Sequence, residues 1–351
     1  MFRKRILISL VTCLVLATAA VAADQPNYLK FTLLTTNDLH ANLVPFNQPD
    51  KFAGQIPQIE NVGGAARRAT FVNRVRAEES GIVLLLDSGD TTFGSNPIAK
   101  AYHGAPDVEV LNAMGYVAME PGNHDFQWQS PDTLRNLKAS HFPWICANLV
   151  EVKTGKTFLT PYIVKDYNGV RVAFFGLITQ LVNSAPYKAR EELGLNALEP
   201  IGVAKQLVPE LRQKADIVIC LSHCGVNIDK KMAAEVPGID IILGGHSHTR
   251  LPQPVMIPSG TPSATYIGAV PVVQAFQWGS ETGETQVTFR RDAAKGSYSL
   301  MSCKGKLVSI DNTLPEDPYI ASIVKRYQAK MPKAVPAATP ATAAVSPAVA
   351  K

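Results

Sequence analysis

The sequence predicts an α/β chain built on two stacked sheets, and three observations predict it. Apolar runs of strand length alternate with stretches of helical spacing. The strand runs are almost continuously apolar, as in sheets covered by helices. Past residue 260 the texture becomes β-rich with no linker before it, so residues 24–330 are expected to form one domain.

The elements follow in order. YLKFTLLTTNDLH is an apolar strand ending in polar residues, and GGAARRATFVNRVRAEES opens on glycines before Ala66, Phe71, Val72 and Val75 repeat at helical spacing. GIVLLLDSGD is a strand ending in an acid; APDVEVLNAMG is a short helix stopped by Gly115; YVAME is a strand before Pro121 and Gly122. SPDTLRNLKAS reads as a helix, FPWICANLV and GVRVAFFGLIT as strands, and about 199–214 as a helix. ADIVICLSHCG is a strand, and a short helix leads from it to the strand GIDIILGGHSH. TYIGAVPVVQAFQWGSETGETQVTFRRD and SYSLMSCKGKLVSID are β-rich, with turn signals at SETGE and CKGK. EDPYIASIVKRYQAK closes the domain as a helix.

The two ends differ from this body. Residues 1–23 have a basic start (Arg3, Lys4, Arg5), an apolar run and a small-residue close, the layout of a signal peptide cut before Asp24. A retained anchor fits less well, because the apolar run is short for a bilayer span. An exported, periplasmic protein with no stable membrane insertion after cleavage is the expectation. The leader carries three of the 34 Lys and Arg residues, so 31 remain against 29 acids. That near-balance gives no argument for binding duplex nucleic acid. Residues 331–351 are Ala, Pro, Thr and Val with little charge, a flexible tail. Cys146, Cys220, Cys224 and Cys303 are too few for a disulfide scaffold. CLSHC invites a zinc reading, but a buried strand position for Cys220 is the simpler one.

Polar residues gather where strands end. Asp38 with His40, Asp90, Asn123 with His124, His223, and His246 with His248 each close an apolar strand. Parallel strands deliver their ends to one sheet edge, where ligands bind. Asp38 and His40 are two apart, as are His246 and His248, so in an extended segment each pair leaves on one side. Asn123 and His124 are adjacent and diverge, leaving one for a metal and the other for a substrate. Imidazole, carboxylate and amide oxygen together suit Mn, Fe or Zn better than Ca. Five of the seven histidines group in this way, while His103 and His141 read as ordinary helix-edge or loop residues.

The order NDLH, DSGD, GNHD, SHCG, GGHSHT resembles the calcineurin-like metallophosphoesterases, and most closely the catalytic domain of the periplasmic 5′-nucleotidases. The resemblance spans about residues 30–300. It implies a four-layer α/β/β/α sandwich of two mixed sheets, with a metal centre at the strand C-terminal edge. It implies two divalent transition-metal ions: Asp38, His40 and His248 on one, Asn123, His223 and His246 on the other, and Asp90 bridging. His124 would face the phosphoryl group of a small phosphorylated substrate, stabilise its charge and help protonate the leaving oxygen. A hydroxide between the metals would attack phosphorus. Asp87 falls outside this ligand set and reads as structural.

Two departures from the family pattern matter. Nucleotidase relatives usually place an Asp where this chain has Gln127, so the partner orienting His124 is Gln127, without charge, or Asp125. Those relatives also carry a C-terminal domain that grips the nucleobase, and only the Ala/Pro tail follows Lys330. A partner chain supplying a substrate domain would fill that role. The leading expectation is an exported phosphomonoesterase, nucleotides among its substrates. The alternatives are a phosphodiesterase or cyclic-nucleotide hydrolase on the same centre, or a non-catalytic protein that binds metal or a partner.

Overall fold

A computed structural model of the protein describes residues 26–52, 54–184, 187–259 and 268–331. The expected leader, and all of the expected tail except Met331, lie outside the described residues. The strands are β1 (Tyr28–Thr36), β2 (Ile82–Asp87), β3 (Ala118–Met119), β4 (Leu149–Glu151), β5 (Tyr162–Tyr167), β6 (Val170–Ile178) and β7 (Leu195–Ala197), followed by β8 (Ile217–His223), β9 (Ile241–Gly244), β10 (Val255–Pro258), β11 (Ala269–Gln274), β12 (Glu281–Arg291) and β13 (Tyr298–Ser309). The helices are α1 (Ala65–Glu78), α2 (Pro97–Tyr102), α3 (Ala105–Met114), α4 (Ser130–Ala139), α5 (Lys188–Glu192), α6 (Pro200–Lys214), α7 (Val226–Glu235) and α8 (Pro318–Ala329).

Two mixed sheets result. One runs β13-β12-β1-β2-β3 and the other β10-β11-β9-β8-β6-β5, with β4 and β7 paired apart. β1, β2 and β3 are parallel to one another, as are β6, β8, β9 and β11. The continuous apolar runs have a direct cause in the layering. Ile217, Ile219 and Leu221 of β8 meet Phe31, Leu33, Leu84 and Leu86 between the sheets. Val218 and Cys220 face the other way, onto Val208 and Leu211 of α6 and Met232 of α7. On the far side Leu34 and Leu85 pack under α1, α3 and α8. The order is helix, sheet, sheet, helix, as expected.

Local signals account for the helices. Asp317 accepts from Tyr319 N and Ile320 N at 3.0 and 2.9 Å, with Pro318 at the first position, so α8 starts there. Gly115, at φ 70°, ends α3 in the left-handed conformation that glycine adopts without strain. Among the described residues no helix is long and apolar enough to cross a membrane.

Two expectations fail. SETGE and CKGK are not turns, since Gly283 lies inside β12 and Gly305 inside β13. Both glycines mark close packing within a strand: a side chain at Gly283 would collide with Thr35, and one at Gly305 with Pro254 and Thr285. The chain reverses instead at Asp292, whose N–H donates to Ser297 O at 2.8 Å and whose carbonyl accepts from Gly296 N at 2.7 Å. FPWICANLV, expected as a strand, is regular only from Leu149. Before that it changes partner with almost every residue: Ile145 N donates to Met119 O (2.9 Å), Cys146 N to Thr160 O (3.0 Å) and Ala147 N to Gly176 O (2.8 Å). The segment thus ties β3 of one sheet to β6 of the other.

That tie needs a bare backbone at Gly176, where a Cβ would land on the Ile145 carbonyl and the Glu120 carboxyl. Gly176→Ala should therefore cost about 1–3 kcal/mol through forced displacement in a packed interior. Chemical denaturation measures it, and an unchanged midpoint and slope would contradict the close approach.

Candidate metal centre

Five strand ends build the site, and they come from both sheets. Asp38 and His40 follow β1, Asp90 follows β2, Asn123 and His124 follow β3, His223 is the last residue of β8, and His246 and His248 follow β9. The expectation of a single sheet edge is corrected: three ends belong to one sheet and two to the other. Polar bonds fasten the edges across the gap. His223 Nδ1 donates to Ser88 O at 2.6 Å, Ser88 Oγ to Leu243 O at 2.8 Å, and His246 N to Asp38 Oδ2 at 3.0 Å.

The pairs two residues apart are not extended either. Asp38, His40, Asp90, His246 and His248 have φ of 50, 46, 54, 72 and 51°. Ala41, Phe276 and Trp278 in the adjoining loops are also left-handed. These are eight of the eleven such non-glycine residues among the described residues, so the backbone strain is concentrated at this site. Each costs on the order of 1–3 kcal/mol and persists only because its surroundings hold it. Asp38 and His40 stay together, but His246 and His248 part company. The acidic and imidazole atoms form two groups, Asp38 with His40 and His248, and Asp90 with His223 and His246, each within 4.8 Å.

The protonation pattern follows from the outer partners. His40 Nδ1 faces Phe93 O (3.1 Å), His223 Nδ1 faces Ser88 O (2.6 Å) and His248 Nδ1 faces Gln277 Oε1 (2.5 Å). Carbonyl oxygens only accept, so each Nδ1 carries a proton, and each ring, when neutral, turns an Nε2 lone pair inward. His40 Nε2 and His248 Nε2 then lie 3.2 Å apart, with Asp38 Oδ1 3.1 Å from the latter. Asp90 Oδ2 is 3.1 Å from His223 Nε2 and 3.8 Å from His40 Nε2, so one oxygen touches both groups. Acceptors facing acceptors at such distances repel unless positive charge sits among them.

Buried atoms without partners sharpen the point. Asp38 Oδ1, Asn123 Oδ1 and His223 Nε2 make no hydrogen bond. His223 Nε2 lies 3.1 Å from Asp90 Oδ2 and 4.0 Å from Asp38 Oδ1. Asp38 Oδ2 is saturated by Asn37 Nδ2 (2.6 Å) and His246 N, which leaves Oδ1 free. Asn123 Nδ2 donates to Tyr187 Oη at 2.8 Å, which turns the amide oxygen the other way. With protons alone to balance it, the cluster charges His223: burial opposes this, but Asp90 and Asp38 raise it to about 10. Burial holds His40 and His246 neutral, down to about 4. Burial also resists ionisation of Asp38 and Asp90, yet facing imidazoles keep both below the ordinary carboxylate range. The donor set fits divalent cations.

His124 sits beside these donors with different neighbours. Its N–H donates to Asp90 Oδ1 at 2.7 Å, and its Nδ1 meets Gln127 Oε1. The ring lies between Phe93 (5.5 Å, stacked) and Tyr187 (5.7 Å, edge-on). Asp125 is engaged elsewhere: it accepts from the N–H groups of Asp90, Thr91, Thr92 and Gly122, and from Thr92 Oγ1. It therefore organises the loop after β2 and leaves the imidazole to Gln127. Asp87 is structural, accepting from Thr36, Gly89 and Thr91.

The other readings resolve by position. His103 pairs with Asp132 at 2.8 Å and His141 lines a separate surface cleft. Among the described residues Cys146, Cys220, Cys224 and Cys303 are free, with Cys220 facing Met232 and Cys224 facing Leu177 O. Sequence reasoning missed Asn37, Tyr187 and Gln277. Asn37 adjoins Asp38 and could have been suspected, but Tyr187 and Gln277 reach the site from loops without any motif.

Residues 31–250 match the calcineurin-like phosphoesterase domain. The chain is 28% identical to a 5′-nucleotidase of Vibrio vulnificus, over 90% of this chain and 62% of that protein. It is equally close to a 2′,3′-cyclic-nucleotide 2′-phosphodiesterase/3′-nucleotidase of Yersinia enterocolitica, over 87% of this chain and 49% of that one. Its fold matches the crystal structure of a 5′-nucleotidase precursor from Thermus thermophilus with a TM-score of 0.72 and 30% identity, covering 86% of this chain and 59% of that one. The chain thus spans about half to three fifths of these relatives' length. With the matched domain covering most of its length and the donors set at five strand ends, the chain belongs to the calcineurin-like phosphoesterase family of metal-dependent phosphoester hydrolases.

Proposed function

We propose that this chain is an exported phosphomonoesterase with two divalent transition-metal ions, nucleotides among its substrates. The observation that carries the reading is the inward convergence of imidazole and carboxylate lone pairs beside a histidine whose imidazole belongs to neither group. Asp38, His40 and His248 would hold one ion and Asn123, His223 and His246 the other, with Asp90 shared between them. Two cations so held would supply Lewis acidity and a water acidic enough to attack at neutral pH. Export rests on the leader pattern of residues 1–23. Similarity to the Yersinia enzyme, as high as that to the Vibrio one, favours diester hydrolysis on the same centre as the second reading.

The residues divide the remaining work. The outer partners of His40, His223 and His248 hold the rings with Nε2 turned towards the ion positions before any ion binds. His124 faces the cavity, stabilises charge on the phosphoryl group and gives a proton to the leaving oxygen. Gln127 orients it through Nδ1 without adding charge.

Hydrolysis of nucleoside monophosphates, a 2′,3′-cyclic nucleotide and an aryl phosphate, with and without Mn, tests the reading. Mn-dependent turnover of monoesters is expected, and no turnover of any ester would leave the catalytic reading without support. Asp90→Asn should lose both ions or most activity, read by elemental analysis and rate together. A fully active variant with one occupied site would remove the bridging role.

His124→Ala should keep both ions and lose kcat by about 10²–10⁴, the usual contribution of positioned acid–base help. Emptying of an ion site in this variant, with Asn123→Ala retaining both, would invert the assignment. Gln127→Asp places a negative charge beside the imidazole and favours its protonated form. The limb at which activity falls as pH rises should therefore move upward in Gln127→Asp. An unmoved profile would separate Gln127 from the proton transfer.

A further inference from the structure

We propose that the cavity above the metal centre carries a subsite for a planar aromatic leaving group, formed by Trp278, Phe46 and Phe93. The proposal rests on the reading of the centre as a phosphoryl site. The cavity encloses about 530 Å³ and is lined by these three rings together with His40, His124 and His248. A mostly apolar, aromatic lining with a few convergent polar groups is the usual make-up of a small-molecule site.

The rings are placed at a cost in backbone strain. Trp278 has φ 61° and Phe276 φ 62°, values that are outliers for bulky side chains. The loop is held in that shape from the metal centre itself. Trp278 N donates to Asp38 O at 2.6 Å, Asn37 Nδ2 to Phe276 O at 2.8 Å, and Gln277 Oε1 accepts from His248. Neighbouring residues consequently face different ways. Phe276 is buried and packs edge-on against Phe52 at 5.3 Å, as an ordinary core residue does. Trp278 is half-buried, meets Phe46 edge-on at 5.9 Å and turns the remainder of its surface to the cavity. Among the described residues its Nε1 makes no hydrogen bond, whereas Nε1 of Trp128 and of Trp144 each donates one. Phe93, which also lines the cavity, stacks on His124 and is tilted against Trp128 at 4.5 Å.

A phosphoryl group at the ions, with His124 at its leaving oxygen, would send the leaving group into the cavity that these rings line. Stacking discriminates a planar ring from an alkyl chain but not one ring from another, since every aromatic ring offers a π-face. The subsite therefore selects a class of ester and not a particular base.

The test uses Mn-loaded protein and two phosphonates, whose carbon–phosphorus bond makes binding measurable without turnover. Calorimetry should show phenylphosphonate binding about three- to tenfold more tightly than methylphosphonate, the usual range for an added aromatic pair. In Trp278→Leu and in Phe46→Leu that ratio should collapse towards one, while Trp278→Phe should keep most of it. Equal affinities in the wild type, or a ratio that survives in both leucine variants, would overturn the subsite. Methylphosphonate binding without an aryl preference sinks the subsite alone. Failure of both ligands to bind sinks the phosphoryl-site reading and the subsite with it.

Discussion

Everything at this site follows from one electrostatic constraint: imidazole and carboxylate lone pairs point at one another within hydrogen-bond range. His40 and His248 turn Nε2 atoms towards each other at 3.2 Å, and Asp38 and Asp90 close on the same space. Such a cluster does not hold itself together, because burial removes the water that would screen it. It is held from outside, by a backbone carbonyl or side-chain amide oxygen on Nδ1 of His40, His223 and His248 and by loops locked into left-handed conformations. A cation changes the sign of the problem, converting mutual repulsion into shared attraction. The strain is then a built-in cost of aiming the donors, offset by the packing of two sheets behind them.

That packing explains why the centre lies between sheets and not at the end of one. β1, β2 and β3 bring Asp38, His40, Asp90 and Asn123; β8 and β9 bring His223, His246 and His248. Neither group is complete without atoms from both sides. The apolar layer between the sheets, with Phe31, Leu33, Ile219 and Leu221, therefore sets the distance between the two halves. The Ser88–His223 and Ser88–Leu243 bonds fix the register at the edge. Interiors packed to crystal-like density resist small displacements, so a donor geometry tolerating only tenths of an ångström can be maintained this way.

How much of this the sequence shows depends on the scale of the feature. Strand ends carrying His, Asp and Asn are legible because a continuous apolar run followed by a ligand-type residue is a local pattern. The helix stop at Gly115 and the helix start at Asp317 are legible for the same reason. The parting of His246 from His248 is legible only through the family resemblance and not from spacing, because a spacing of two implies a shared side only in extended backbone, and here the φ angles are positive. Gly283 and Gly305 read as turns from sequence because glycine's two uses, reversal and close approach, look alike in one dimension. Tyr187 and Gln277 were invisible, since nothing local to either residue refers to the atom it touches. Asp125 and Gln127 were equally eligible as partners of His124 until the loop after β2 claimed the carboxylate.

The histidines of this site show how one side chain serves two purposes without any difference in its own chemistry. His40, His223, His248 and His124 all have Nδ1 fixed by a neutral oxygen, so all four present the same Nε2. What separates them is the company of that nitrogen. Three face carboxylates across about 3 to 4 Å and are drawn into the ion groups. The fourth has its ring clasped by Phe93 and Tyr187 and no carboxylate among its side-chain partners. A carboxylate in place of Gln127 would add negative charge beside the ring; the amide orients the ring without it. How much proton help the reaction needs is set by how basic the leaving group is. An aryl leaving group, stabilised after departure by its own ring, needs the least help.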